Sequence, residues 1–171
     1  MTRYAMTYGL YIGVVFSLLV VILKIVGNIH FPGDIVSNVN VIILSFSMVF
    51  LGKRYRDMFY DGDFLYKNAF KLLFLIVIFS SLIFGFFSYW YYKVIEPSGI
   101  SFYIEQIKTV YLQTNTLSEE QLEGLMSLYN SMLTPGMMAF IIFFSQMLVG
   151  VLSALFVAIF VKSPVNLTKS I

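Results

Sequence analysis

Cysteine is absent from this chain of 171 residues, which excludes disulfides, a thiol nucleophile and a thiolate metal site. Histidine occurs once, as His30, and no second histidine or cysteine stands by to complete a zinc set, so it reads as a solvated loop residue. Charge is scarce, at 12% of residues, and no Asp or Glu falls inside the long apolar stretches. Ion-coupled transport, which relies on intramembrane ionisable groups, loses support on that ground. The net charge of +2 gathers into no long basic stripe, and nucleic acid is discounted as a partner.

What the chain has instead is apolar length. Tyr4 to Leu23, Ile35 to Gly52, Leu72 to Tyr92 and Gly136 to Val161 carry no charged residue. About 20 helical residues at roughly 1.5 Å each match a hydrocarbon core of about 30 Å, and soluble helices rarely stay apolar on every face for that length. The expected fold is an all-α membrane protein, a four-transmembrane-helix bundle with spans at about 4–27, 35–52, 69–92 and 135–161. A two-helix extracytoplasmic segment, 93–134, lies between helices 3 and 4. Four spans leave no room for a separate soluble catalytic domain. The first stretch is too long for a signal-peptide core and has no small-x-small cleavage site before Lys24, so it reads as a retained anchor.

Helix boundaries follow from local chemistry. Gly27, Asn28 and Pro32 are expected to close the first helix, and Asp34 to cap the second. Gly52 is expected to end the second helix, and Asp61-Gly62-Asp63 to form a turn whose last residue caps the third. Thr134-Pro135 starts the last helix, which Lys162, Ser163 and Pro164 end.

The gap between spans two and three holds Lys53, Arg54, Arg56, Lys67 and Lys71, whereas the gap from Lys93 to Pro135 holds two Lys and five Glu. The positive-inside rule places the first gap and both termini in the cytoplasm. Tyr89, Trp90, Tyr91 and Tyr92 at the outer end of span three, with Tyr4 and Tyr8 at the inner end of span one, read as an aromatic belt.

In the outer segment Ile100, Tyr103, Ile104, Ile107 and Tyr111 recur at helical spacing up to Asn115. A second helix is expected to begin at a capping box of Ser118 and Gln121, with Leu117 and Leu122 as a staple, and to present Leu122, Leu125, Met126, Tyr129 and Leu133 on one face. Glu105, Glu119, Glu120 and Glu123 make these helices too acidic for a typical membrane-surface segment. They are expected to pack on each other, with a partner as the alternative.

Candidate sites are few. Lys53, Arg54 and Arg56 can contact anionic lipid headgroups or a partner, beside their plainer role in setting topology. Asp61-Gly62-Asp63 has an Asp-x-Asp spacing but reads as a turn. Asn166-Leu167-Thr168 lies on the expected cytoplasmic tail, where it cannot be glycosylated. Lys24 can snorkel from a helix end, and Gln146, Ser45, Ser47, Ser80, Ser81 and Ser145 offer neutral polarity suited to joining helices. Small residues share faces at Gly9 and Gly13, at Ser81 and Gly85, and at Gly150, Ala154 and Ala158. Those three helices are expected to touch there, within one bundle or else between subunits.

Tyr8-Gly9 with Gly13, Tyr55-Arg56-Asp57, Ala69-Phe70-Lys71 and Val94-Ile95-Glu96-Pro97 together resemble the DUF4199 family over nearly the whole chain. The resemblance implies a small polytopic protein of the bacterial inner membrane, mainly of Bacteroidetes, and no catalytic residues to carry over. The residues themselves offer no catalytic set, no cofactor site and no metal site. The expected role is a non-enzymatic accessory or scaffold subunit contacting membrane lipids and another membrane or periplasmic protein. The alternative is a small permease or lipid-handling protein with a neutral path of Ser and Gln residues.

Overall fold

The computed structural model describes residues 1–27, 34–60, 63–114 and 118–163, with backbone alone at 27 and 34–38. His30, Asp61, Gly62, Leu117, Pro164 and Asn166 lie outside the described residues, and so do the expectations placed on them. Six α-helices follow in order: α1 (Thr2–Gly27), α2 (Asp34–Phe59), α3 (Tyr66–Trp90), α4 (Ser98–Thr114), α5 (Glu119–Met132) and α6 (Pro135–Val161). A π-helical turn, Tyr91–Ile95, prolongs α3.

Among the described residues three helical stretches are long and apolar enough to cross a membrane: Thr2–Val26, Tyr66–Ile95 and Pro135–Val161. α2 is as long as α1, but Lys53, Arg54, Arg56 and Asp57 occupy its last two turns.

α3 stands between α1 and α6, and α2 packs chiefly on α6. Close approaches at glycine fix the register. A Cβ at Gly9 would meet Phe79 Cβ at 2.7 Å and one at Gly13 would meet Ile83 Cβ at 2.7 Å, so α1 and α3 run parallel. A Cβ at Gly85 would meet Phe143 Cβ at 2.9 Å and one at Gly150 would meet Val77 Cγ1 at 2.5 Å, so α6 runs antiparallel to α3. Gly150 also faces Leu44, and Gly52 faces Val161, which sets α2 parallel to α6. Such closeness needs hydrogen in place of a side chain, and it lets dispersion replace the hydrophobic drive that lipid does not supply.

Three boundaries differ from expectation. Gly52 does not end α2, which runs on to Phe59 because Tyr55 continues the buried stripe of Leu44, Met48 and Leu51. Burial of that ring among Tyr4, Phe59 and Phe64 outweighs the roughly 1 kcal/mol that a mid-helix glycine costs. Asp63 does not cap α3; Leu65 holds that position. Phe64 is buried and exchanges two hydrogen bonds with Ser163, donating to Oγ at 2.8 Å and accepting from the amide at 2.9 Å, so the chain turns helical only beyond it. The third helix does not stop at Tyr92, since the π turn carries it to Ile95.

Two local readings hold. Ser118 and Gln121 form the reciprocal capping box of α5, and Thr134 Oγ1 accepts from the Met137 amide with Pro135 in the first turn of α6. α4 and α5 pack together over Ile100, Ile104, Leu122 and Met126, all buried.

Candidate functional site

Two clusters of chemically capable side chains sit at opposite ends of the bundle. At one end the last turn of α1 meets the π turn after α3. Pro97 has no amide hydrogen and disfavours a helical residue before it, which puts Glu96 at φ −139° and ψ 68°. The Glu96 amide donates across the wide turn to the Tyr91 carbonyl at 2.8 Å. This geometry swings the Glu96 carboxylate inward, where it forms an ion pair with Lys24 and accepts from the Ser98 hydroxyl. Glu96 is only 6% exposed, whereas the Lys24 side chain keeps 20% of its surface open, so the lysine reaches a buried carboxylate from the rim of the bundle. The lysine also sits at the carbonyl end of α1, which favours positive charge.

The π turn also corrects the aromatic belt. Trp90 is exposed, but Tyr91 and Tyr92 are both buried, their rings perpendicular at 5.2 Å. The widened turn faces two consecutive side chains inward, which a regular α-helix at 100° per residue does not favour. Tyr4, expected at the opposite belt, is a bundle residue as well: its hydroxyl donates to the Leu51 carbonyl at 3.1 Å and its ring lies 4.8 Å from Tyr55.

The other end gathers the basic residues of α2, and the structure separates them. Arg56 turns toward α6, its Nε 2.8 Å from Asp57 Oδ1 and its Nη1 donating to the Val161 carbonyl at 3.3 Å. It therefore satisfies a carbonyl at the end of α6. Lys53 and Arg54 stay exposed and line an open groove of about 560 Å³ with Phe46, Val49, Phe50, Asp57 and Met58. One end of this groove is apolar and the other cationic.

The small-residue faces do not all meet one another. Gly9 and Gly13 seat α1 on Ile76, Phe79, Ser80 and Ile83 of α3, while Gly85 faces α6. Gly150 packs on Val77, and Ala154 and Ala158 are fully buried beyond it. α1 and α6 thus use different flanks of α3. Ser81, between the two, is fully buried, and its hydroxyl makes no hydrogen bond.

No group of three or more His, Cys, Asp or Glu that could hold a metal ion occurs among the described residues. In the α4–α5 hairpin Tyr129 hydrogen-bonds Tyr111, and burial first, then the Tyr111 and Tyr103 rings nearby, hold its phenol above the ordinary tyrosine range. Beside it a cleft of about 620 Å³ runs between Lys108 and Leu112 of α4 and Glu119, Leu122, Glu123 and Met126 of α5.

A family model described as Protein of unknown function (DUF4199) matches residues 7–163. The chain belongs to the DUF4199 family. The match takes in all of α2 to α6 and most of α1, so both clusters of this DUF4199 protein lie within the family region. Comparison with curated proteins and with solved structures gives no match.

Sequence reasoning passed over three features of this DUF4199 protein. Glu96 was visible only as part of a Glu-Pro motif, though an acid just past one span and a lone lysine at the end of another are a pairing signal. Asn40, 1% exposed in α2, makes no hydrogen bond through either end of its amide. An asparagine within an apolar run is the signal that could have found it. The π turn has no sequence signature beyond the following proline.

Proposed function

We infer that this DUF4199 protein is a non-enzymatic accessory or scaffold subunit of the bacterial inner membrane, built on four membrane-spanning helices, whose outer α4–α5 hairpin contacts another envelope component. α2 supplies the fourth span: it is helical over 26 residues, about 39 Å at 1.5 Å each, and 35–52 is uncharged. The charge asymmetry puts both termini and the Lys53–Lys71 segment in the cytoplasm. The observation that carries the partner reading is the hairpin's outer surface. Val110, Leu112, Leu128 and Met132 are exposed there, outside the apolar spans, and Leu112 also lines the cleft edged by Lys108, Glu119 and Glu123. Exposed apolar side chains outside the spans suit a protein partner better than water.

The absence of cysteine gives a direct test. Single cysteines at Leu112 and Leu128 are expected to crosslink one specific protein in native membranes and to be labelled from outside the cell, while one at Lys53 is labelled only from inside. Recovery of no specific partner through the hairpin would sink the accessory reading, and inside labelling at Leu112 would sink the topology. A lipid-handling reading is favoured by one observation, the half-apolar, half-cationic groove at Lys53 and Arg54, which suits the chain and headgroup of an anionic phospholipid.

A further inference from the structure

Register places three uncharged polar residues of three helices in one layer of the bundle. On α3 and α6 the contacts of Val77 with Gly150 and of Gly85 with Phe143 bracket Ser81 and Gln146, which therefore face each other one turn from either contact. On α2, Leu44 meets the same Gly150 position, and Asn40 lies one turn from Leu44 in the direction of Gln146, because α2 and α6 are parallel. Asn40 is 1% exposed, Ser81 0% and Gln146 8%.

None of the three is settled by the protein. Asn40 Oδ1 and Nδ2, Ser81 Oγ and Gln146 Nε2 are buried without a hydrogen-bond partner. Other serines of the bundle differ: Ser17, Ser80 and Ser88 each donate to a carbonyl of their own helix, at 2.9, 3.0 and 2.7 Å. Polar residues that only glue helices do so by hydrogen-bonding across the interface, and these atoms do not. An apolar surrounding makes an unmatched amide expensive, so the layer calls for a guest. Its groups define that guest: donors and acceptors together, with no charge to balance.

We propose that Asn40, Ser81 and Gln146 form a buried site for an uncharged molecule that both donates and accepts hydrogen bonds, either water or a small hydroxylated or amide solute. The site is independent of the partner reading of the outer hairpin, and its test does not involve a partner. A cation is disfavoured because no carboxylate joins the layer, and an anion because no Lys or Arg does.

X-ray radiolysis of the full chain in lipid nanodiscs, dialysed into water enriched in oxygen-18, converts held water to hydroxyl radicals that mark adjacent side chains. Phe143 and Met147, which flank Gln146, are expected to take up the label, while Phe46 on the outer face of α2 does not. The label is expected to fall in Ser81→Ala and to vanish in Asn40→Leu combined with Gln146→Leu. The serine variant guards against a double variant that does not fold. Unlabelled Phe143 and Met147 in the native chain, or undiminished label in Ser81→Ala, would overturn the proposal and leave the amides pairing with one another. Repeating the labelling with glycerol or urea, read relative to the exposed Met132 because glycerol consumes hydroxyl radicals in bulk, separates the sources. Label lost at Phe143 and Met147 relative to Met132 identifies a solute that displaces water, label retained identifies water itself, and each supports the site.

Discussion

Lys24 and Glu96, 72 positions apart in sequence, form an ion pair with a buried carboxylate that ties the end of α1 to the turn leaving α3. The two helices run parallel and reach this end together, so the pair closes the same seam that Gly9 and Gly13 begin.

Breaking the pair from one side leaves a buried charge without its partner. Lys24→Met is expected to destabilise the bundle by about 3–5 kcal/mol, because the remaining carboxylate loses its counter-charge and keeps its desolvation cost. Lys24→Met with Glu96→Met is expected to recover most of that loss, since two apolar side chains replace two desolvated ions. A double-mutant cycle on unfolding in mixed micelles measures the coupling, and simple additivity of the two changes would contradict a buried pair.

Some glycines must stay small and others need not. A Cβ at Gly13 would come within 2.8 Å of the Ser80 carbonyl, a backbone atom that cannot rotate away. Gly13→Ala is therefore expected to push α1 off α3 at about 1–3 kcal/mol. Gly124 in α5 has nothing within 4 Å, so Gly124→Ala is expected to stabilise that helix by up to about 1 kcal/mol through propensity alone. Thermal unfolding of the two variants side by side checks the contrast in sign.

The α4–α5 hairpin is expected to loosen in alkali. Tyr129 titrates above the ordinary tyrosine value in the fold, through burial first and its contact with Tyr111 next. A raised pKa for an acid means that the neutral form is the one the fold favours. Its contribution is complete below the unfolded value of about 10 and is lost as pH rises from there through the raised folded value. Amide exchange in α4 and α5 measured across that window, against Tyr129→Phe, follows the loss. Tyr129→Phe has no phenol to ionise and is expected to show a flatter profile.

The basic residues of α2 are expected to separate by assay. Lys53→Ala and Arg54→Ala should each weaken retention of anionic lipid by about 1 kcal/mol, a factor of about five. Arg56→Ala should leave lipid retention unchanged and lower stability, because it removes the hydrogen bond to the Val161 carbonyl. Native mass spectrometry of the three variants with phosphatidylglycerol and phosphatidylethanolamine reads both effects; an equal loss in all three would count against the division.

The sequence by itself determined the helical, apolar character of this protein and the chemistry of several helix ends. Both rest on interactions within a few residues: hydropathy over about 20 positions, the Ser118–Gln121 box, and Pro135 behind Thr134. The α4–α5 pairing was legible for the same reason, since apolar residues at helical spacing must find each other when the loop between them is short. Tertiary structure alone decided what faces what. Gly52 carries a helix-ending signal, yet the burial of Tyr55 one turn later overrides it. Tyr91 and Tyr92 have the composition of a headgroup belt, yet a five-residue turn buries them both. Lys53, Arg54 and Arg56 look alike in the chain, and only the place of Val161 tells Arg56 from the other two. Asn40, Ser81 and Gln146 share no pattern in sequence, because a layer across three helices is set by interhelical register, and register is fixed by where small residues let backbones approach.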